Sequence, residues 1–448
     1  MLNVSEAEGR AGALVEAAVK AGADAADVLY IGDASTEVQV RLGELEDVAR
    51  SEGEEIGLRL FVGSRSASVS SSDLSAGALS ALVERAAAMA REAPEDPFAG
   101  LAPEERLMRG PLPVIEGDDG ADPSPVALKE RALAIEHAAR AVPGVTNSEG
   151  AGVSAGRTVV ALATSQDFCR GYTTSGYGAS ASVIAGEGSG MQRDYASHHV
   201  RHLADLDSAE AIGRLAGERA VKRLDPARLA SGTMPVLFDP RVGGGLISAL
   251  LGAMAGPAIA RKTSFLLGRQ DEILFDPSVV IVEDPHRPRG LRSRPFDGEG
   301  VATSARRLVD GGRVTGWLLN SASARQLGLE TTGHASRGIG GAPGAGATNV
   351  HMEPGALSPA QLMADVKHGL YVTEMIGQGV NPVTGDYSRG ASGFIIEDGE
   401  IAAAVDEITI AGNLIGMFRA LVPANDLVHR RAIDVPTLRI DGMTIAGA

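Results

Sequence analysis

Cysteine is all but missing from this sequence, with Cys169 the single one in 448 residues. That excludes an internal disulfide and every multi-cysteine zinc pattern, and it fits a reducing cytoplasm. Aromatic residues are scarce too, at 4%, while 57 residues are glycine. A core built from such a set relies on small side chains and close backbone approach rather than on large aromatic anchors. The first ten residues carry two glutamates and no basic stretch ahead of an apolar one, so they do not read as a signal peptide. The longest apolar run, Leu246 to Ala260, contains Pro257 and is too short to span a bilayer. Positive charge is also in deficit: 41 basic against 57 acidic residues give a net charge of −16. Such a surface repels phosphate backbones and anionic lipid, which argues against nucleic acid and membrane as partners. The expectation is a soluble cytoplasmic protein.

Several catalytic patterns are absent as well. No Gly-x-x-x-x-Gly-Lys-Ser/Thr loop exists, and neither the Gly243-Gly244-Gly245 cluster nor the glycines from 338 to 346 satisfy Gly-x-Gly-x-x-Gly. Nucleotide binding is therefore rejected. Ser392 lies one glycine short of a Gly-x-Ser-x-Gly elbow. No His-Glu-x-x-His occurs. The one dense histidine group, His198-His199-x-x-His202, follows a strand-like run and has no carboxylate at ligand spacing. It reads as an exposed, non-ligating cluster rather than a metal site.

What the chain does have is an ordered alternation of element signals. Ser5-x-x-Glu8 predicts a capping box ahead of the Leu14, Val15, Ala18, Val19 stripe, and Gly22 predicts the stop. Val38, Val40 and Leu42 alternate, as do Ile56, Leu58, Leu60 and Val62, so both stretches read as strands. Asp73 is placed to cap a helix from Leu74 to about Glu92, and the prolines between 93 and 122 mark a linker. Ser124-Pro125 opens a helix reaching Val142, and glycine-punctuated β stretches to about His199 predict an antiparallel meander. Asp207-x-x-Glu210 opens a further helix, ending near Leu224. Beyond Ser231 the chain is strand-rich, with Asp-Gly hairpin signals at Asp398-Gly399 and Asp441-Gly442. The order predicts an α+β protein: an N-terminal α/β part with an antiparallel meander, then a strand-rich C-terminal domain. Three segments are expected, at residues 1–110, 111–227 and 228–448.

Three stretches are more specific than this. The first is Arg41-x-Gly43-Glu44-Leu45-Glu46 with Gly57 to Gly63 and Ser70 to Leu74. The second is Ser182 to Gly188 followed by Gly190-Met191-Gln192-Arg193-Asp194-Tyr195. The third runs from Gly377-Gln378-Gly379-Val380-Asn381 through Val383 to Phe394, and on to Glu407-Ile408-Thr409-Ile410-Ala411-Gly412-Asn413-Leu414. Together they resemble the TldD/PmbA family, and within it the TldE (PmbA) branch, over nearly the whole chain.

The resemblance implies a cytoplasmic peptidase assembled from two related subunits and acting on unfolded or small polypeptides. TldD-type chains of the family carry His-Glu-x-x-x-His on a helix, plus a C-terminal cysteine, to hold and use zinc. Here the matching helix is Leu246 to Ala253, and Ser248, Ala249 and Ala253 stand at the motif positions. Cys169 lies in the wrong region to supply the missing ligand. The resemblance thus implies no cofactor on this chain, zinc on a TldD-type partner subunit, and a homodimer as the alternative state of the isolated chain. In the third stretch, Asn381, Asp386, Tyr387, Ser388, Arg389 and Asn413 are candidates for a subunit interface or a peptide channel. In the structural reading of the same stretch, Gly385-Asp386 and Gly390 are turn residues joining strands, with Asp386 hydrogen-bonding local amides. A stand-alone regulatory binding protein, of the kind labelled a gyrase modulator, is the alternative, and an independent hydrolase with an unrecognised site is a third reading.

Overall fold

The computed structural model describes residues 1–270 and 272–447. Its N-terminal half is one sheet with helices on one face. Helix α1 (Val4–Lys20) is followed by β1 (Ala25–Arg41), β2 (Glu44–Val62), β3 (Arg65–Ser71) and α2 (Ala76–Glu92). After an irregular stretch come α3 (Pro125–Arg140), β4 (Val145–Thr164), β5 (Phe168–Ala185), β6 (Gln192–Val200) and α4 (Ala209–Lys222). The six strands are antiparallel in the order β3-β2-β1-β4-β5-β6. Strand β1 pairs with β4 from Asp27 opposite Thr164 to Val40 opposite Ala151, so segments 1–110 and 111–227 share one continuous sheet.

The small-residue composition shows in how the helices pack. In α1 the residues Ala7, Ala11, Leu14, Val15 and Ala18 form one buried stripe. Helices α3 and α4 approach closely enough that a Cβ on Gly213 would lie 2.2 Å from the Ile135 carbonyl oxygen. Any larger residue there would force the helices apart. Helices α1 and α2 cover one end of the sheet and α3 and α4 the other, giving two adjacent cores.

The C-terminal half contains β7 (Gly232–Phe238), α5 (Pro240–Met254), β8 (Ile281–Asp284), β9 (Arg306–Asp310), β10 (Arg313–Val314), β11 (Ala335–Ser336), β12 (Gly344–Ala345) and β13 (Asn349–Met352). It continues with β14 (His368–Ile376), β15 (Asp386–Glu397), β16 (Glu400–Asn413), β17 (Leu421–Pro423), β18 (Ile433–Asp434) and β19 (Leu438–Ala446). Strands β16-β15-β14-β7-β19 form a ring, closed where Thr409 to Ala411 of β16 pair with Thr444 to Ala446 of β19. Closure leaves no free edge among the five. A second sheet, β10-β9-β8-β13-β18, shares its core with this barrel, and α5 contacts β7, β14 and β18. The α+β expectation and the strand-rich C-terminal part are what the structure has. No helix among the described residues is long and apolar enough to cross a membrane.

The uncovered face of the N-terminal sheet docks on the C-terminal half. Leu29, Leu162 and Phe168 meet Phe296 and Val301 there, with the Phe168 and Phe296 rings edge-on at 5.1 Å. Buried charge joins the halves, most deeply at Asp27 and Asp194. Asp27 accepts from Arg59 at 3.0 Å, and its other oxygen pairs with Arg337 of the C-terminal half at 2.6 Å. Asp194 on β6 takes a two-pronged contact from Arg241 at the start of α5, at 2.8 and 3.1 Å.

Four local expectations are corrected. Helix α1 is capped by Asn3, whose carboxamide oxygen accepts from the Glu6 amide, while Glu6 accepts from Asn3. Ser5 lies inside the first turn, and Glu8 accepts from the Gly171 amide instead. Ser75 rather than Asp73 caps α2, and Ser208 rather than Asp207 caps α4. Asp441-Gly442 is no hairpin. It forms a bulge inside β19, which pairs with β7 on both sides of it. The Asp398-Gly399 turn does join β15 to β16.

Candidate functional site

Helix α5 positions the site. Asp239 caps it, accepting from the Arg241 amide at 2.8 Å, and Pro240 occupies the first turn, where no backbone donor is needed. Leu246, Ile247, Leu250, Leu251 and Met254 point into the core. Gly245, Ser248 and Gly252, at three- and four-residue spacing, form the opposite, exposed stripe. That stripe borders a cleft of about 640 Å³ between the two halves of the molecule. Of the three motif positions only Ser248 faces the cleft, and its hydroxyl donates back to the Gly244 carbonyl at 3.0 Å. Ala249 packs against the core, and Ala253 is buried with its carbonyl accepting from Ser264 at 2.6 Å.

The rest of the cleft is basic. Tyr172 and Thr174 come from β5, Arg201 from just after β6, Arg292 and Arg294 from the chain after β8, and Thr348 from just before β13. No histidine, cysteine, aspartate or glutamate lines it among the described residues. Arg201 donates to the backbone carbonyls of Ser175, at 2.8 Å, and Leu291, and burial pulls its guanidinium below the usual arginine value. Arg294 donates to the Ala335 carbonyl at 2.8 Å, while its Nε and Nη2 are buried without a partner. The charge of Arg294 acts on Asp297, which already accepts from the Glu299, Val301 and Ala335 amides. Burial, reinforced by the charge of Glu299, pushes the Asp297 carboxyl up to about 7.

This donor set does not fit a zinc ion. Zinc takes thiolate, imidazole or carboxylate ligands, and three guanidinium groups at the same cleft oppose a dication. Cys169 is on the other face of the N-terminal sheet, where its thiol donates to the Glu8 carbonyl of α1 at 3.3 Å. The histidines near the end of β6 have separate partners. His198 accepts from the Asp207 amide at 3.1 Å, and His202 Nε2 lies 2.9 Å from the Glu116 carbonyl oxygen. No group of three or more His, Cys, Asp or Glu placed to hold a metal occurs among the described residues.

The residues of the long motif gather at one end of β15. Asn381 accepts from the Val383 amide at 2.9 Å, and its own amide donates to the Asp386 carbonyl. Asp386 accepts from Thr384 at 2.7 Å and from Asn413 at 3.1 Å, and these hydrogen bonds hold its carboxyl below the usual range. Asn413 also caps the short helix at 414–419. Ser388 is exposed, and its amide donates to the Gly379 carbonyl. Tyr387 is buried in the barrel core, which pushes its phenol up to about 12. Arg389, half-buried, reaches toward Gly245 of α5. Sequence reasoning thus singled out α5 and this knot of turns. It passed over Arg201, Arg292 and Arg294, whose only sequence signal is the Arg-x-Arg spacing of the last two.

Comparison with known proteins gives a consistent result. Three models of PmbA/TldA metallopeptidase domains match in succession: domain 1 over residues 26–90, the central domain over 118–224 and the C-terminal domain over 231–447. The metalloprotease PmbA of Escherichia coli O157:H7 is 38% identical over 95% of this chain and 92% of its own length. A metalloprotease PmbA homolog of Haemophilus influenzae is 37% identical over 97% and 94%. Among solved structures, a candidate modulator of DNA gyrase from Bacteroides thetaiotaomicron superposes with a TM-score of 0.92 at 26% identity, covering 100% of both chains. TldE from Thermococcus kodakarensis shares the fold, with a TM-score of 0.87 at 22% identity over 97% of this chain and 99% of that one. The chain therefore belongs to the PmbA/TldD family and is a PmbA/TldE-type protein.

Proposed function

We propose that this chain is the zinc-less subunit of a heteromeric TldD–TldE peptidase that degrades or processes unfolded or small polypeptides in the cytoplasm. One observation carries the reading. The helix that would present the metal motif offers Ser248, Ala249 and Ala253, and the cleft beside it is lined by guanidinium groups with no zinc ligand. Hydrolysis then belongs to a TldD-type partner. This chain would complete the chamber and orient the peptide, a role that supplies rate through positioning rather than chemistry. The exposed residues at the barrel rim, Asn381, Asp386 and Ser388, with the half-buried Asn413, are the interface candidates, and Tyr387 and Arg389 support them from inside.

The experiment is a cleavage assay on an unfolded protein. The purified chain alone is expected to be inactive, and mixing with a TldD-type subunit should produce cleavage that a chelator abolishes. Chelator-resistant cleavage by this chain alone would overturn the proposal.

A further inference from the structure

The cleft beside α5 is an unusual place in this molecule. The chain carries a net charge of −16, yet three arginines and no acid line a space large enough for a ligand. Elsewhere Arg59, Arg241 and Arg287 meet a carboxylate, while Arg131 and Arg325 meet backbone carbonyls singly rather than clustered at one cleft. The three at the cleft meet no carboxylate among the described residues. Arg201 has only backbone carbonyls as partners, and its Nε is buried and unpaired. Arg294 has one carbonyl and two unpaired donors. The Arg292 side chain is exposed and makes no ion pair. Partly desolvated guanidinium groups without a counter-charge are costly, and an anion that entered would regain that energy through charge-assisted hydrogen bonds.

We propose that this cleft binds the carboxylate of an extended peptide, with Arg201 and Arg294 as the guanidinium forks and Arg292 at the mouth. A planar fork matches a carboxylate with two parallel hydrogen bonds. The small residues Ala345 and Gly346 on one wall leave room for a peptide backbone to pass. The identification of the ligand as a peptide rests on the subunit reading above. The anion chemistry rests on the cleft alone. The carboxylate belongs either to the peptide's C-terminus or to an acidic side chain, and the measurement separates these sources.

The test uses the full chain without any partner or metal, in a fluorescence-anisotropy titration with short labelled peptides of one sequence. One has a free C-terminal carboxylate and no acidic side chain, one is its amide, and one is the amide with a single internal glutamate. Binding of the first or third, and not of the second, is expected, and which of them binds names the source. Loss of charge-assisted hydrogen bonds predicts that Arg201→Gln and Arg294→Gln each weaken binding by roughly tenfold or more. Arg292→Gln, an exposed change with little risk to folding, should weaken it less. Arg214→Gln, on the exposed face of α4, should leave it unchanged. Equal binding of all three peptides, no binding of any, or affinity unchanged in all three cleft variants would overturn the inference. So would displacement of the peptide by inorganic phosphate at lower concentration than by acetate. A chain that supports cleavage by its partner yet binds no carboxylate would sink this inference and leave the subunit reading standing.

Discussion

Two polar regions, one at the rim of the C-terminal barrel and one between the two halves, differ in one respect that decides how each is read. At the end of β15, Asn381, Thr384, Asp386 and Asn413 satisfy one another, with contacts of 2.7 to 3.1 Å among Asp386, Thr384 and Asn413. In the cleft beside α5, Arg201 and Arg294 have donors left over and no acid to meet them. A polar cluster that closes on itself holds its turns rigid, so as an interface it would present a fixed shape rather than free donors. A cluster with donors to spare is built for something that arrives. The stretch most distinctive in sequence is therefore the closed one, and the open one is nearly silent in sequence.

The largest expected effect comes from removing the centre of a closed cluster. Asp27→Ala would leave Arg59 and Arg337 facing each other, buried and without their shared partner, with Glu299 the acid still acting on both, between the two halves that make the cleft. Breaking one side of such a buried arrangement costs about 3–5 kcal/mol, read as a large fall in thermal or urea midpoint. A loss within experimental scatter would mean that the halves do not depend on this contact.

A pH-dependent effect should come from the open region. Asp297, within reach of the charge of Arg294, has its carboxyl raised to about 7 from 3.8. A raised value means that the folded state holds the proton more tightly. The stability this contributes is fully present below the ordinary carboxyl range and is lost as pH rises through about 7. Burial of His198, His286 and His351 opposes their protonation and so works the other way below about 6.5, the ordinary histidine value. The difference between wild type and Asp297→Asn isolates the aspartate. The wild-type advantage should shrink as pH rises from 5 toward 8, and a flat difference would contradict the assignment.

Smaller effects sharpen the contrast. Asn413→Ala removes a helix cap and the bonds to Thr384 and Asp386, a cost of about 1–2 kcal/mol. Its melting point should fall while carboxylate binding in the cleft stays as it was. A loss of peptide affinity would show that the knot also bears on the cleft. Ser248→Ala removes only a bond back to the preceding turn of α5. Its stability should stay within about 0.5 kcal/mol of wild type, and cleavage by the mixed complex should persist. A collapse of activity would give Ser248 a chemical role that this account denies it.

Where the sequence was legible, a local rule had no competitor. Ser124-Pro125 and the Asp398-Gly399 turn are such cases, each fixed by its own dipeptide. Asn3 and Ser5 both stand three residues ahead of a glutamate, and only the demand of Gly171 on Glu8 separates them. Asp441-Gly442 has the hairpin signature, but partners on β7 to either side keep the strand running. Helix α5 was legible only through the family resemblance, which matched Leu246 to Ala253 to the metal-motif helix. The cleft was not, because Arg201 and Arg294 lie far apart in the chain and are brought together only by docking of one half on the other.

The most direct measurement of the central claim is the zinc content of the purified full-length chain after mild chelation, by elemental analysis. A protein whose α5 presents Ser248, Ala249 and Ala253 beside three arginines is predicted to carry only trace metal. Zinc at a stoichiometric level would contradict the account, because a site would then exist that these residues do not provide.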